Sequence, residues 1–316
     1  MESSYVFVNE GGNREFDEAY DSACSFRQGL ALVRKAGKAF ILSRAGECEP
    51  LACSVDNPFG LFSENLAPVK IGDSYGFVDS GGDLAITPKF DRVAGFREGL
   101  APARQNGKAG FIDPLGDWAI KPDFDHVGCF FDGRAEVEIG EQSYFIDRTG
   151  DVKLGPFTVI NCGFNSGIAV AEDEDGTIVF NTDGTEVFRS SSDFGLWSVN
   201  EDSFVYKSSA TEAKAFSKNG DELFQLECDD LNSPHEGLCK FGKDGKEGFV
   251  DGKTGEVIIE PRLSGCSDFQ EGYAVELFGK KPATVWRKDG TVAFNATPFI
   301  ILQCFSDGLC LCRAGS

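Results

Sequence analysis

Short segments in which apolar and polar residues alternate recur along the whole chain, separated by turns that contain glycine. One copy reads Tyr75-Gly76-Phe77-Val78-Asp79 and continues, after a turn, as Ala85-Ile86-Thr87-Pro88. A corner that reads Phe96-Arg97-Glu98-Gly99 follows, and the pattern restarts at Gly110-Phe111-Ile112-Asp113. Alternation with a period of two predicts β-strands that bury one face, and glycine turns predict antiparallel pairing.

The corner and the turn recur at a nearly constant spacing of 34 to 36 residues. The corner positions, two of them degenerate, are Phe26, Phe62, Phe96, Phe130, Phe164, Val199, Pro234, Phe269 and Phe305. The turn glycines are Gly12, Gly46, Gly82, Gly116, Gly150, Gly184, Gly220, Gly255 and Gly290. Such a period is typical of repeat proteins whose units stack on one another. We predict one repeat domain over residues 1–316, with nine units at about 5–37, 38–73, 74–107, 108–141, 142–175, 176–211, 212–245, 246–280 and 281–316.

Each unit is predicted to supply a three-stranded β-meander, which makes the fold all-β. Asn106-Gly107 predicts a tight hairpin turn, because both residues tolerate positive φ. Prolines such as Pro88 and Pro122 recur near the end of the third strand, which must therefore lie at a sheet edge or stop there. The prolines in this position are Pro88, Pro122, Pro156, Pro261 and Pro298.

The arrangement of the nine units has two alternatives. The first strand, Tyr5-Val6-Phe7-Val8-Asn9, and the last, Leu309-Cys310-Leu311-Cys312-Arg313, are the two halves of one hairpin, and their pairing would close a propeller-like ring. Nine blades exceed the usual four to eight, and about 35 residues is short for a four-stranded blade. The preferred prediction is an open superhelical, solenoid-like array, with the closed β-propeller-like ring as the alternative.

The repeated motif resembles a known family. Tyr75-Gly76-Phe77-Val78-Asp79, Gly110-Phe111-Ile112-Asp113 and Gly248-Phe249-Val250-Asp251 each precede a Pro-x-Phe or Pro-x-Leu segment and a corner. In this the chain resembles the WG (KWG) repeats of bacterial proteins over nearly its whole length. The tryptophan of the Trp-Gly pair is absent, and Tyr75, Ala109 or Glu247 takes its place. The resemblance implies a β-repeat scaffold and leaves its ligand open.

Charge and cysteine content bear on partner and compartment. The net charge is −21, from 51 acidic and 30 basic residues, which disfavours nucleic acid and anionic membranes and favours a protein partner with a basic surface. No motif indicates a small-molecule ligand. Eleven cysteines include Cys239 and Cys310 in a slot that holds alanine in other units, so we expect free, buried thiols in a reducing compartment. Without a signal-like amino terminus or an 18-residue apolar run, a cytoplasmic protein is expected.

Candidate chemistry is sparse, and we expect no catalytic residue, no cofactor and no metal. Gly72-Asp73-Ser74-Tyr75-Gly76 matches G-x-S-x-G but lies at a hairpin turn rather than before a helix. The two histidines, His126 and His235, are not clustered with other ligands. The acidic turn Glu172-Asp173-Glu174-Asp175-Gly176 lacks the rest of a calcium loop. Cys310 and Cys312 are expected to face opposite sides of their strand, which disfavours joint metal ligation.

Carboxylates at the corners repeat, and we expect them to cap backbone amides rather than to catalyse a reaction. They are Glu64, Glu98, Asp132, Glu236, Glu271 and Asp307. Between residues 190 and 234 the pattern weakens, either by drift or because the region contacts a partner. Trp118 and Trp197 have no aromatic counterpart in most units, and Phe194 lies in the irregular segment. These three are the predicted partner-binding residues.

The function that these observations favour is a non-enzymatic scaffold for protein–protein interaction, built on equivalent positions of the repeats. Two alternatives remain at this point. One is an acidic inhibitor or immunity-type protein that masks a basic partner. The other is a carbohydrate-binding or carbohydrate-acting protein, which would need paired carboxylates about 5 to 10 Å apart in a pocket.

Overall fold

The structure, a computed structural model, describes residues 4–53, 55, 60–191, 196–201, 203–276 and 283–314. By their internal contacts the residues form two compact units, Met1–Cys129 with Ala293–Ser316, and Phe130–Val292. Strands and turns account for all the regular structure in the described ranges, which contain no helix. Accordingly, no helix there is long and apolar enough to span a membrane.

The described residues contain thirty-three strands. The first unit contains β1 (Tyr5–Asn9), β2 (Ser22–Ala23), β3 (Leu30–Lys35), β4 (Lys38–Ser43), β5 (Cys48–Pro50), β6 (Leu66–Ile71), β7 (Ser74–Asp79), β8 (Leu84–Phe90), β9 (Arg92–Val93), β10 (Ala101–Gln105), β11 (Lys108–Ile112), β12 (Trp118–Phe124) and β13 (His126–Val127).

The second unit continues with β14 (Ala135–Ile139), β15 (Gln142–Ile146), β16 (Val152–Phe157), β17 (Val159–Asn165), β18 (Ile168–Asp173), β19 (Gly176–Asn181), β20 (Glu186–Ser190), β21 (Leu196–Asn200), β22 (Ser203–Ser209), β23 (Glu212–Ser217), β24 (Glu222–Glu227), β25 (Asp230–Leu231), β26 (Leu238–Lys243), β27 (Lys246–Asp251), β28 (Val257–Leu263), β29 (Tyr273–Glu276) and β30 (Thr284–Arg287). The last strands are β31 (Val292–Asn295), β32 (Ile300–Ile301) and β33 (Leu309–Arg313).

The strands form nine separate sheets of three or four strands within the described residues. In the sheet with the order β12-β11-β10-β9, β10 and β11 pair from Ala101 opposite Ile112 to Gln105 opposite Lys108. The two residues between them are Asn106 and Gly107, with φ of 53° and 82°. The predicted meander and the tight Asn-Gly turn are therefore confirmed, and a short fourth strand completes the sheet.

The proline strands lie at sheet edges, as predicted. Pro88, Pro122 and Pro261 are inside β8, β12 and β28, each of which is the outermost strand of its sheet. The strand therefore continues through the proline, because no neighbour needs its missing N–H.

The motif glycine is required by a close approach of that edge strand. A Cβ at Gly76, Gly110 or Gly248 would lie 2.3 to 2.5 Å from the carbonyl oxygen of Ile86, Ile120 or Ile259, respectively. The register of each strand pair shifts at this point, as in a β-bulge.

The core lies between successive sheets and is built on pairs of phenylalanines. A strand phenylalanine of one sheet packs against the corner phenylalanine that follows it, with ring centroids 4.7 to 5.0 Å apart. These pairs are Phe7 with Phe26, Phe77 with Phe96, Phe145 with Phe164, and Phe249 with Phe269. These four pairs use eight of the chain's 29 phenylalanines, so the repeated pairing contributes to its high phenylalanine content.

The prediction of an open array is wrong. β1 pairs antiparallel with β33, from Tyr5 opposite Arg313 to Asn9 opposite Leu309, so the first strand completes the last sheet. Phe7 and Leu311 then share one core cluster with Phe26. A succession of small antiparallel sheets whose two chain ends join in one sheet has the strand topology of a β-propeller, which is the closed alternative.

The short period does not prevent closure, because in several sheets one of the four strands is much shorter than the others. In four of the sheets the additional strand has only two residues, as in β2, β9, β13 and β25. Four strands therefore fit within a repeat of about 35 residues, and the short period is no obstacle to a propeller topology.

Candidate partner-binding site

The corner carboxylates join one repeat to the next. In the first unit, Glu64 accepts a hydrogen bond from the Gly99 N–H at 3.0 Å, and Asp307 accepts one from the Gly29 N–H at 2.7 Å. In the second unit, Asp132 and Glu236 accept from the N–H groups of Gly167 and Gly272, both at 2.8 Å. Amide capping is confirmed for these four, but the capped glycine belongs to the following repeat rather than to the carboxylate's own corner.

The same contact occurs between the last repeat and the first. Ser306 donates to the Phe26 carbonyl at 2.5 Å, just as Ser63 donates to the Phe96 carbonyl at 2.5 Å. The interface that joins the chain ends is therefore chemically equivalent to an internal one, which is a second observation in favour of closure.

One corner was missed by sequence reasoning. Glu201 accepts hydrogen bonds from the Gly237 N–H at 2.8 Å and from the Glu236 N–H. It occupies the corner of the sixth repeat, between the paired strands β21 and β22. The signal was the 35-residue spacing from Glu201 to Glu236, which the loss of the usual corner glycine obscured. Part of the irregular segment 190–234 thus keeps the repeat geometry.

The three predicted partner-binding residues are not brought together. Trp118 lies in β12 and is half-buried against the first unit's core, with its ring 5.5 Å from Phe90 in an edge-on contact. Trp197 lies in β21, in the other unit, and its side chain falls outside the described part of the structure. Phe194 also lies outside the described residues. Their role in binding stays a prediction.

The second unit contains a groove that combines acidic and apolar side chains. It has a volume of about 680 Å³ and is lined by Ile139, Glu141, Gln142, Pro156, Phe157, Thr158, Asp173 and Glu174, which we call the acidic groove. Two hairpin turns contribute the carboxylates: the turn between β14 and β15 carries Glu141, and the end of β18 with the turn after it carries Asp173 and Glu174.

The apolar part of the acidic groove is accessible. Ile139 is 46% exposed at the end of β14, whereas the polar residues Gln105 and Lys243 occupy this position in two other hairpins. Phe157 is partly buried, and its ring stacks on Phe180 at a centroid distance of 5.2 Å. One face of that ring is therefore held by Phe180, while Phe157 also lines the groove.

Two of the three carboxylates in the acidic groove are available to a partner. Asp173 is held by Arg189 through two hydrogen bonds of 2.8 and 3.0 Å, and these lower the pKa of its carboxyl. Glu141 and Glu174 are exposed and form no ion pair or side-chain hydrogen bond with the described residues. A lowered pKa is the opposite of what a glycosidase general acid needs.

Metal-ligating and thiol chemistry is limited in the described residues. No group of three or more histidine, cysteine or acidic side chains is arranged to hold a metal ion there. None of the eleven cysteines, all of which the structure describes, forms a disulfide bond. The expectation that Cys310 and Cys312 face opposite sides is wrong: both are buried, and their sulfurs lie 3.6 Å apart. Residues two apart on a strand point to the same face, so the two thiols are neighbours.

The fold and the corner contacts define a β-repeat protein of propeller topology. Three stretches, residues 75–108, 110–142 and 248–275, match the family model of the WG containing repeat. The chain therefore contains WG repeats in these three stretches, as the motif predicted.

Among solved structures, the crystal structure of a eukaryotic initiation factor is similar to 93% of this chain and 95% of its own length, with a TM-score of 0.64 and 12% sequence identity. The computationally designed protein Ika8 is similar to 80% of this chain and 91% of its own, with a TM-score of 0.49 and 16% identity. At such identities the first likeness concerns the fold alone, and the second is too weak to support a conclusion. No curated protein matches the chain.

Proposed function

We propose that this protein is a non-enzymatic scaffold that binds a protein partner, and that the acidic groove receives a basic segment of that partner. The observation that carries the proposal is the placement of Glu141 and Glu174, both free of ion pairs within the described structure, beside the exposed side chain of Ile139. A carboxylate pair next to an apolar surface complements a segment with lysine or arginine and one apolar residue.

The charge of the whole chain supports the same partner chemistry. A net charge of −21 attracts a basic surface over long range, which accelerates encounter and makes binding weaken as salt screens the field. Repeat folds present residues on a rigid framework, because each unit is held by its neighbours. The acidic groove is formed by two hairpin turns and the end of β16 in such a framework, so little ordering is needed when a partner binds.

The experiment is affinity capture from source-cell lysate with three baits. These are the wild-type chain, the variant Glu141→Lys/Glu174→Lys, and the control variant Glu256→Lys/Glu260→Lys. The control residues are exposed, lie in the same compact unit, and their side chains form no hydrogen bond or ion pair with the described residues. Each double variant changes the net charge by +4, from −21 to −17, so the two differ only in where the charge is reversed.

We expect the wild-type chain and the control to capture the same basic protein at low salt, and the groove variant to lose at least about tenfold in affinity, as mapped by titration with the purified partner. Higher salt should weaken the wild-type complex. Equal capture by all three baits would place the partner elsewhere on the surface, and capture that ignores salt would contradict the electrostatic argument.

A further inference from the structure

The residue that precedes the motif glycine differs between two neighbouring repeats of the first unit. In β7 it is Tyr75, which lies opposite Lys70 on one side and Phe90 on the other. In β11 it is Ala109, which lies opposite Arg104 and Phe124 in the same register. The two positions are therefore equivalent, and one holds an aromatic ring where the other holds a methyl group.

The smaller residue leaves a cavity. A space of about 180 Å³ opens at Ala109, and its apolar walls include Val93, Ala103 and Val127. An apolar protein cavity of about 150 Å³ is large enough for benzene. The Ala109 cavity, as we call this space, therefore has room for one six-membered aromatic ring and little more.

The neighbouring repeat shows how a ring in this position contacts a cation. The ammonium group of Lys70 lies 5.8 Å from the centroid of the Tyr75 ring. Arg104 has the place of Lys70 beside the Ala109 cavity, and its guanidinium is anchored by the carbonyls of Gly107 at 2.8 Å and Asp125 at 3.2 Å. A ring in the cavity would therefore meet a guanidinium that is already oriented.

Positive charge is concentrated at this cavity. Arg92 lies directly opposite Arg104 across β9 and β10, and like charges opposite each other destabilise a sheet. The Arg92 and His126 side chains are exposed, line the cavity and make no hydrogen bond or ion pair with other described residues. In a chain with a net charge of −21, this grouping is complementary to an anion.

We propose that the Ala109 cavity binds an aromatic ring that carries a carboxylate, with the ring in the space that Tyr75 fills one repeat earlier. The carboxylate lies at the mouth, between the Arg92 guanidinium and the His126 imidazole N–H. A free aryl carboxylic acid and the carboxyl-terminal phenylalanine of a peptide both supply this chemistry. The cavity belongs to the first compact unit and the acidic groove to the second, so the proposal is independent of the scaffold function.

Binding is tested with the purified full chain by calorimetry and by ligand-observed NMR. The probes are 3-phenylpropionate, its neutral amide, and a pentapeptide ending in phenylalanine with either a free or an amidated carboxyl terminus. We expect 3-phenylpropionate to bind with a dissociation constant of about 1 mM or tighter, and the amide at least about fivefold more weakly. Binding of the peptide acid identifies a peptide end as an accepted source, whereas binding of the free acid alone restricts the site to small molecules.

Three variants locate the site. Ala109→Tyr places the ring of the neighbouring repeat in the cavity and should weaken binding at least about tenfold, whereas Ala119→Tyr adds the same side chain at an exposed position of the same sheet and should leave binding unchanged. Arg92→Gln should weaken binding of the acid and leave binding of the amide unchanged. If Ala109→Tyr does not fold, as judged by circular dichroism, the smaller Ala109→Val replaces it. Failure of both acids to bind, or full binding by the filled variant, overturns the proposal.

Discussion

Closure of the chain predicts that its first strand is as important to stability as an internal one. Phe7 in β1 is 1% exposed, and its ring lies 4.8 Å from Phe26 and 6.0 Å from Phe16. Replacement of a buried phenylalanine by alanine costs about 3 to 5 kcal/mol through lost burial and the cavity it leaves. Each aromatic pair contributes about 0.5 to 1.5 kcal/mol within that loss. We expect Phe7→Ala to lower the free energy of unfolding by about 4 kcal/mol.

The matched control is Phe77→Ala, because Phe77 is 0% exposed and its ring lies 5.0 Å from Phe96 in an internal sheet. Urea unfolding followed by circular dichroism should give similar losses for the two variants. Amide hydrogen exchange adds a local measure, since β33 should lose protection in Phe7→Ala and keep it in Phe77→Ala. A loss below about 1 kcal/mol for Phe7→Ala beside a full loss for Phe77→Ala would mean that β1 is not docked in solution.

Three further predictions concern the corners, the glycines and the thiols. Asp307→Ala and Glu64→Ala should each lower the free energy of unfolding, measured by thermal unfolding, by about 1 to 2 kcal/mol. Each variant removes the acceptor of one glycine N–H in the next repeat. Gly107→Ala should lower the free energy of unfolding by about 1 to 2 kcal/mol in the same urea assay, because the added Cβ has open space but φ is 82°. Gly76→Ala should lower it more, because its Cβ would lie 2.3 Å from a carbonyl oxygen. Burial raises the pKa of the Cys24 thiol to about 11, so the folded chain holds this proton more tightly than the unfolded chain. About 2 to 3 kcal/mol of stability should therefore be lost as the pH rises from about 9 to 11, and Cys24→Ala should lack that part of the loss.

The local structure follows closely from the sequence. The alternation in Tyr75-Gly76-Phe77-Val78-Asp79, the Asn106-Gly107 turn and the edge position of Pro88 are each decided by a few neighbouring residues, and each is found where predicted. Closure depends instead on pairing between residues that are about 300 positions apart, from Tyr5 to Arg313. The hairpin halves at the two ends pointed to it, but general expectations for blade number and blade length outweighed them.

The candidate sites were harder to predict, because they arise where neighbouring repeats differ. Ile139 looks like an ordinary strand residue until its exposure is known, and the Glu141 turn gains its role from Phe157 on another strand. The Ala109 cavity was visible in part, since alanine replaces the motif aromatic there. Its cationic lining arises because β9 and β10 pair in a register that places Arg92 opposite Arg104. That register was not predicted from the sequence.

The pairing of β1 with β33 also sets an order on folding. A disordered loop of about 300 residues would oppose this contact by about 5 kcal/mol of chain entropy, so the two strands gain from meeting late, after the repeats between them have formed. Until then the sheet of β32 and β33 lacks its third strand and exposes a free hydrogen-bonding edge at which a second chain could pair. Exchange of amino-terminal strands between two molecules is thus the characteristic misassembly of this topology, and high protein concentration during refolding is the condition that would promote it.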